Sequence, residues 1–294
     1  MVPFAAQGHL NQLLQLSCLV SSSYKIPVYY FTSPIFIRQA KSRINGLNPL
    51  DVEKIHFHEI PTPQFDSPPP DPKSPHKFPT QLQPAWYASL NLREPFAGFL
   101  KEMSVRFKRV VVIHDPMMAV VVQDVASVSN AESYAFNCVS AYSHISILHQ
   151  RLQFPVSVEF PKELPSFDGC IPDEVNYLVA LQSEPSNHRS GDLYNTCRSI
   201  EAPYMDILEN EEISGNNKEI IENRNTWAIE PITYQIIIFF ISKHKCLEWL
   251  DKHDPKSVIY VWFDTTVSLE DKQIKRLALE LEQSKVNSSG IVGS

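Results

Sequence analysis

The residues best suited to chemistry stand at two strand-to-helix junctions. Near the amino terminus the sequence reads MVPFAAQGH, an apolar run followed by Gln7, Gly8 and then His9 at the head of a helical pattern. A second run, RVVVIHDPMMA, closes on Asp115. Imidazole is the side chain whose charge changes near neutral pH, and a carboxylate beside it fixes its tautomer and stabilises the imidazolium form. In an open α/β sheet ligands bind at the carboxyl ends of the strands. If the two runs are neighbouring parallel strands, His9 and Asp115 rise at one edge as a general base and its orienting acid. Each residue also has a plainer reading. His9 can be a helix-start or surface residue, and Asp115 before Pro116 is a natural helix N-cap.

Other histidines and the cysteines point elsewhere. His114 precedes Asp115 on the strand and so faces the opposite side, which makes it structural. His56 and His58 in IHFHE share a strand face, but no third ligand accompanies them, so they are read as structural rather than as a metal pair. Cys18, Cys138, Cys170, Cys197 and Cys246 lack CxxC spacing and read as reduced thiols, neither a zinc site nor a disulfide framework. No metal is expected.

These residues need a scaffold to hold them. Strand-like runs at 26–31, 53–60, 109–115 and 132–137 alternate with helical patterns at 10–22, 34–44, 82–103, 117–127 and 141–152. That alternation predicts an α/β architecture with a parallel sheet. Residues 60–79 are too rich in proline for a regular element and form an extended surface loop. A further strand falls at 192–197, followed by a helix, and 212–225 is a polar connector. From about residue 245 a second unit opens, with a strand at 258–263 and an amphipathic helix at 269–285, after which the chain trails off.

Composition narrows the partners. The 294 residues carry a formal charge of −7 with no basic block, which argues against nucleic acid. The apolar run 236–241 is far too short to span a bilayer, and no secretory leader is visible, so a cytoplasmic protein without membrane contact is expected.

Five stretches together carry a family resemblance: PFAAQGHLNQLLQL, VVIHDPMMA, FPTQLQPAWYASLNLREP, YNTCRSIEAPYMDIL and CLEWLDKHDPKSVIYVWF. They resemble plant UDP-dependent glycosyltransferases of small molecules, the zeatin (cytokinin) O-glucosyltransferase group in particular, over the chain up to about residue 285. The resemblance implies a GT-B fold: a Rossmann-like acceptor domain at 1–225, a linker at 226–245, and at 246–294 the truncated start of a UDP-sugar domain. It implies that His9 takes the proton of an acceptor hydroxyl, that Asp115 orients it, and that a UDP-sugar reacts with inversion. It places Thr265 and Thr266 at the donor, while the position of Met118, Phe136 and Tyr142 after expected strand ends, and of Gly8 before His9, puts these four at the acceptor. Packing is the alternative for Met118, Phe136 and Tyr142, and strand-end capping for the two threonines. No cofactor is implied beyond the UDP-sugar co-substrate, and a monomer is expected.

Two positions depart from the family pattern. Asp264 replaces a glycine at a turn that should approach phosphate, and Glu230 replaces a glycine of the linker. The donor signature of the family would fall beyond residue 294. The alternative function is therefore a catalytically inactive fragment that keeps only acceptor binding.

Overall fold

A computed structural model describes residues 1–42, 47–69, 71–74, 76, 78–152, 166, 169–209, 225–230, 232, 245–261, 269–284 and 287–290. Its strands are short, rich in β-branched and aromatic residues, and paired in parallel. β1 (Tyr29–Thr32) pairs with β2 (His56–Glu59). β3 (Val110–His114), β4 (Ala131–Asn137), β5 (Gly191–Tyr194) and β6 (Asn225–Ala228) form a second ladder in that order.

Residues 1–4 join the two ladders. The Met1 amine donates to the Tyr29 carbonyl at 2.7 Å, and the Phe31 N–H donates to the Met1 carbonyl at 2.9 Å. On the other side the Val2 N–H donates to the Ile113 carbonyl and the Asp115 N–H to the Val2 carbonyl. The order across the layer is thus β2, β1, residues 1–4, β3, β4, β5, β6. The succession reverses direction between residues 1–4 and β3, which is the switch point where doubly wound sheets hold their ligands. Parallel neighbours need crossovers, and helices such as Gln7–Tyr24, Pro34–Ser42, Arg93–Arg106 and Ala141–Leu152 supply them.

Both faces of the sheet are covered, as continuous apolar strands require. Tyr30 packs into one core cluster with Leu10, Leu13, Leu14, Ile37 and Phe136, while its neighbour Phe31 packs into the other with Val2, Phe4, Trp86, Phe96 and Leu100. The alternation follows from the two-residue period of a strand. Leu10, Leu13, Leu14 and Cys18 recur at helical spacing, so one stripe of the helix Gln7–Tyr24 faces the sheet. Each such fully buried leucine contributes about 1.5–3 kcal/mol.

Local departures from the sequence expectation have identifiable causes. The helix expected at 82–103 is two helices, Gln83–Leu90 and Arg93–Arg106. Between them the Asn91 side chain donates back to the Ala88 carbonyl, a local alternative to helix continuation. The helix expected at 117–127 is a single α turn, Ala119–Val122, between 3₁₀ turns at Pro116–Met118 and Gln123–Ser127. Its valines lose side-chain freedom in a helix, which leaves the longer element poorly supported. Glu230 has φ of 61°, in the left-handed region where glycine is at ease, so a glycine at this position of the resembled family has a conformational reason.

The expected trailing tail is instead part of a small unit. β7 (Val258–Val261) pairs in parallel with β8 (Asn287–Gly290) across the helix Asp271–Ser284. That helix has no buried residue, and its Ile274 and Leu279 are 43% and 56% exposed. Asp264, Thr265, Thr266 and the run 236–241 lie outside the described residues. Among the described residues, no helix is long and apolar enough to cross a membrane.

Candidate active site

The two strand-to-helix junctions meet at the switch point. His9 lies in the first turn of the helix Gln7–Tyr24, and Asp115 directly follows β3. His9 Nδ1 stands 2.5 Å from Asp115 Oδ2. The carboxyl group is 1% exposed and the imidazole 29%, so a sealed acid backs a ring that reaches solvent. The other carboxyl oxygen accepts the Met117 N–H at 2.9 Å, with Pro116 at the first position of the turn. Asp115 is therefore an N-cap and a histidine partner at once, one oxygen for each task.

The ring is held on a further side. Phe4 meets His9 edge-on at 5.3 Å, and Phe4 packs in the same way on Trp86. The Trp86 indole N–H donates to the Met117 carbonyl, closing the loop back to the Asp115 turn. Burial alone lowers the basicity of His9, but the charge of Asp115 and its hydrogen bond outweigh it and hold the imidazole above its ordinary value. With Nδ1 engaged by the carboxylate, Nε2 is the nitrogen left to take a proton from a ligand.

The remaining residues singled out from sequence fall in different places. Gly8 is exposed, and a Cβ built there would meet nothing within 4 Å. Tyr142 is half-buried, with its ring edge-on to Tyr204 at 5.1 Å and its N–H donated to Glu201. Met118 and Phe136 are 1% and 0% exposed and pack in the two core clusters, so their side chains face the core rather than the rim. Phe136 is set inward by the period of β4, and Met118 by the 3₁₀ turn that Asp115 caps. Thr265 and Thr266, expected at the donor, lie outside the described residues.

His114 is buried, and its Nδ1 contacts the Asp115 carbonyl at 2.8 Å. Burial lowers it to about 4, so it is neutral at neutral pH. His56 and His58 stack on Tyr29 and Phe31 of β1 at 4.8 and 5.3 Å. Both are aromatic packing elements.

Three polar features of the rim escaped the sequence reading. Cys138 follows β4, and its Sγ lies 3.9 Å from Asp115 Oδ2, with burial pushing the thiol well above its ordinary range. Its place directly after the strand next to β3 was the signal that could have found it. Asn195, after β5, donates to Gln12 at 2.8 Å, and Gln12 donates to the Cys138 carbonyl, which ties the first helix to two strand ends. Gln7 Oε1 and Ser33 Oγ are buried without a partner, at the ends of residues 1–4 and β1. An apolar cavity of about 360 Å³ between residues 26–31 and 107–113 belongs to the opposite, amino-terminal end of the strands, and neither His9 nor Asp115 lines it.

Comparison with known proteins agrees with this layout. The family model described as the glycosyltransferase N-terminal domain matches residues 1–233, and the chain belongs to that family. It is 42% identical to a zeatin O-glucosyltransferase of Phaseolus lunatus and 40% identical to a zeatin O-xylosyltransferase of Phaseolus vulgaris, each over 97% of this chain. The chain spans about 60% of the length of these relatives. Among solved structures it superposes on Phytolacca americana UGT2 complexed with UDP-2fluoro-glucose and pterostilbene (TM-score 0.68, 17% identity), covering 100% of this chain and 66% of that one. It also superposes on Arabidopsis thaliana UGT89C1 complexed with quercetin (TM-score 0.67, 18% identity), covering 99% and 64%. The fold is α/β of the GT-B type.

Proposed function

We propose that the protein acts in the transfer of a sugar, glucose in the first instance, from a UDP-sugar to a hydroxyl of a small molecule such as a cytokinin. The observation that carries this reading is the 2.5 Å contact between His9 and a buried Asp115 at the switch point of the sheet. The zeatin-directed names of its relatives support the acceptor class.

In this scheme His9 Nε2 takes the proton of the acceptor hydroxyl, and Asp115 stabilises the imidazolium that forms. The freed oxygen attacks the anomeric carbon from the side opposite UDP, the bond to the diphosphate breaks, and the configuration inverts. General-base catalysis supplies about 100-fold to 10,000-fold, and positioning of the two substrates with stabilisation of the leaving diphosphate supplies the rest. Gly8, exposed and directly before His9 in the chain, is assigned to the acceptor side. Tyr142 stands at the start of a helix beyond β4, a further element of the acceptor side. Thr265 and Thr266 are assigned to donor phosphate by the family pattern. The acceptor domain is assigned to residues 1–225, the linker to 226–245 and the donor side to 246–294.

The test separates binding from transfer. Zeatin and UDP-glucose are titrated separately into the full chain, and the mixture is assayed for a β-glucoside. Binding of both with product formation supports transfer. Zeatin binding alone supports the second reading, an acceptor binder, and binding of neither contradicts both.

A further inference from the structure

Among the described residues, one group of three potential metal ligands stands close together: His9, Asp115 and Cys138, whose ligand atoms all lie within 4.8 Å of one another. We infer that His9 Nδ1, the Asp115 carboxylate and the Cys138 sulfur form an inhibitory site for a borderline-soft divalent cation, zinc above all. Cys138 takes no part in the proton transfer proposed above.

The donor set selects the ion. One imidazole nitrogen, one carboxylate oxygen and one thiolate sulfur are zinc ligands, whereas magnesium and calcium require oxygen. Geometry requires a modest rearrangement of ligand atoms that already lie within 4.8 Å of one another. Ligands about 2.0–2.3 Å from a tetrahedral zinc lie roughly 3.3–3.8 Å from one another. The sulfur is already 3.9 Å from Asp115 Oδ2, while the imidazole nitrogen at 2.5 Å is too close and must withdraw by somewhat under an ångström. The ring can do so, its side chain being 29% exposed. The other two are anchored: Asp115 by the Met117 N–H at 2.9 Å, and the Cys138 backbone by Gln12. A fourth ligand would be water, as at zinc sites with three protein ligands.

Binding balances as follows. The Cys138 thiol loses its proton to solvent as sulfur bonds to the ion. The proton on His9 Nδ1 passes to Nε2 as Nδ1 turns to the metal. The ion thus takes the place now held by a hydrogen bond, and Nε2, carrying a proton, can no longer accept one. That inhibitory consequence rests on the proposed role of His9, whereas metal binding itself does not.

The experiment reads binding without any activity assay. Cobalt(II) chloride is titrated into the full chain, and zinc chloride is used to displace it. One equivalent of cobalt should give a thiolate-to-metal charge-transfer band with tetrahedral visible bands, and zinc should abolish both. Cys138→Ser should lose the thiolate band and weaken zinc by more than the ~10-fold to 100-fold that outer-sphere partners of ligands command. Cys138→Ala serves if the serine variant fails to fold. Cys197→Ser, remote from the cluster, should behave as the parent. Absence of the band from the parent, or its persistence in both Cys138 variants, overturns the site.

Discussion

Residues 1–209 and the unit spanning 258–290 are made of the same kinds of runs, yet they bury very different amounts. In the first, strands carry helices on both faces, and two clusters seal side chains such as Trp86, Tyr30 and Phe136 at 1% exposure or less. In the second, the helix Asp271–Ser284 has no buried residue and the described part of β7 has none either. The difference teaches where a charged pair can be fixed. A carboxyl group is held rigidly against an imidazole only where backbone donors and packed rings surround it, and that holds at the ends of β3 and residues 1–4. Nothing comparable surrounds the described side chains of the small unit.

The largest effect that would sharpen this contrast is functional. His9→Ala should lower the proposed glucosyl transfer by about 100-fold to 10,000-fold. An unchanged rate would remove His9 from the chemistry. The matched structural pair comes next. Trp86→Ala, deep in the core, should cost about 3–5 kcal/mol in a denaturant titration, while Leu279→Ala on the exposed helix should stay within roughly 0.5 kcal/mol. Equal costs would erase the distinction between the regions.

Acid should act on the buried region through His114. Its folded value of about 4 lies below the ordinary histidine value near 6.5, so the unfolded chain takes the proton first. The neutral ring's contribution is complete above about pH 6.5 and is lost as pH falls toward 4, on the order of 3 kcal/mol at about 1.4 kcal/mol per unit. Unfolding measured across that window in the parent and in His114→Phe should show a shallower slope in the variant. His9 has the opposite sign: its raised value adds stability present below about pH 6.5 and lost as pH rises through its folded value. A further small effect concerns Glu230. Relief of its left-handed backbone by Glu230→Gly should stabilise by about 0.5–1 kcal/mol, and a destabilised variant would contradict the strain.

The legible part of this molecule was the part governed by local pattern. The β-branched runs at 109–115 and 132–137 fold as β3 and β4, and the switch-point logic brought His9 and Asp115 into contact across a gap that no local rule spans. What escaped was set by tertiary context. Cys138 belongs to the rim only because β4 lies next to β3, and a lone cysteine announces nothing of its neighbours. Phe136 lies within β4, whose period turns it inward, and Met118 is turned inward by the 3₁₀ turn after β3. The break at Asn91 is accompanied by side-chain hydrogen bonds back to Tyr87 and Ala88, and β8 reads as a polar tail because its serines and glycine lack any strand-like composition. Glu230, by contrast, was flagged by its residue type, and its positive φ supplies the physical reason.

The pairing of His9 with Asp115 is tested most directly by following the His9 imidazole resonances against pH in the parent and in Asp115→Asn. The asparagine oxygen can still cap Met117, so the turn is retained while the charge is lost. In the parent, His9 should titrate above the ordinary value near 6.5, and in the variant it should fall below that value as burial alone acts on it. A parent that titrates at or below 6.5, with no change on loss of the carboxylate, would contradict the pair.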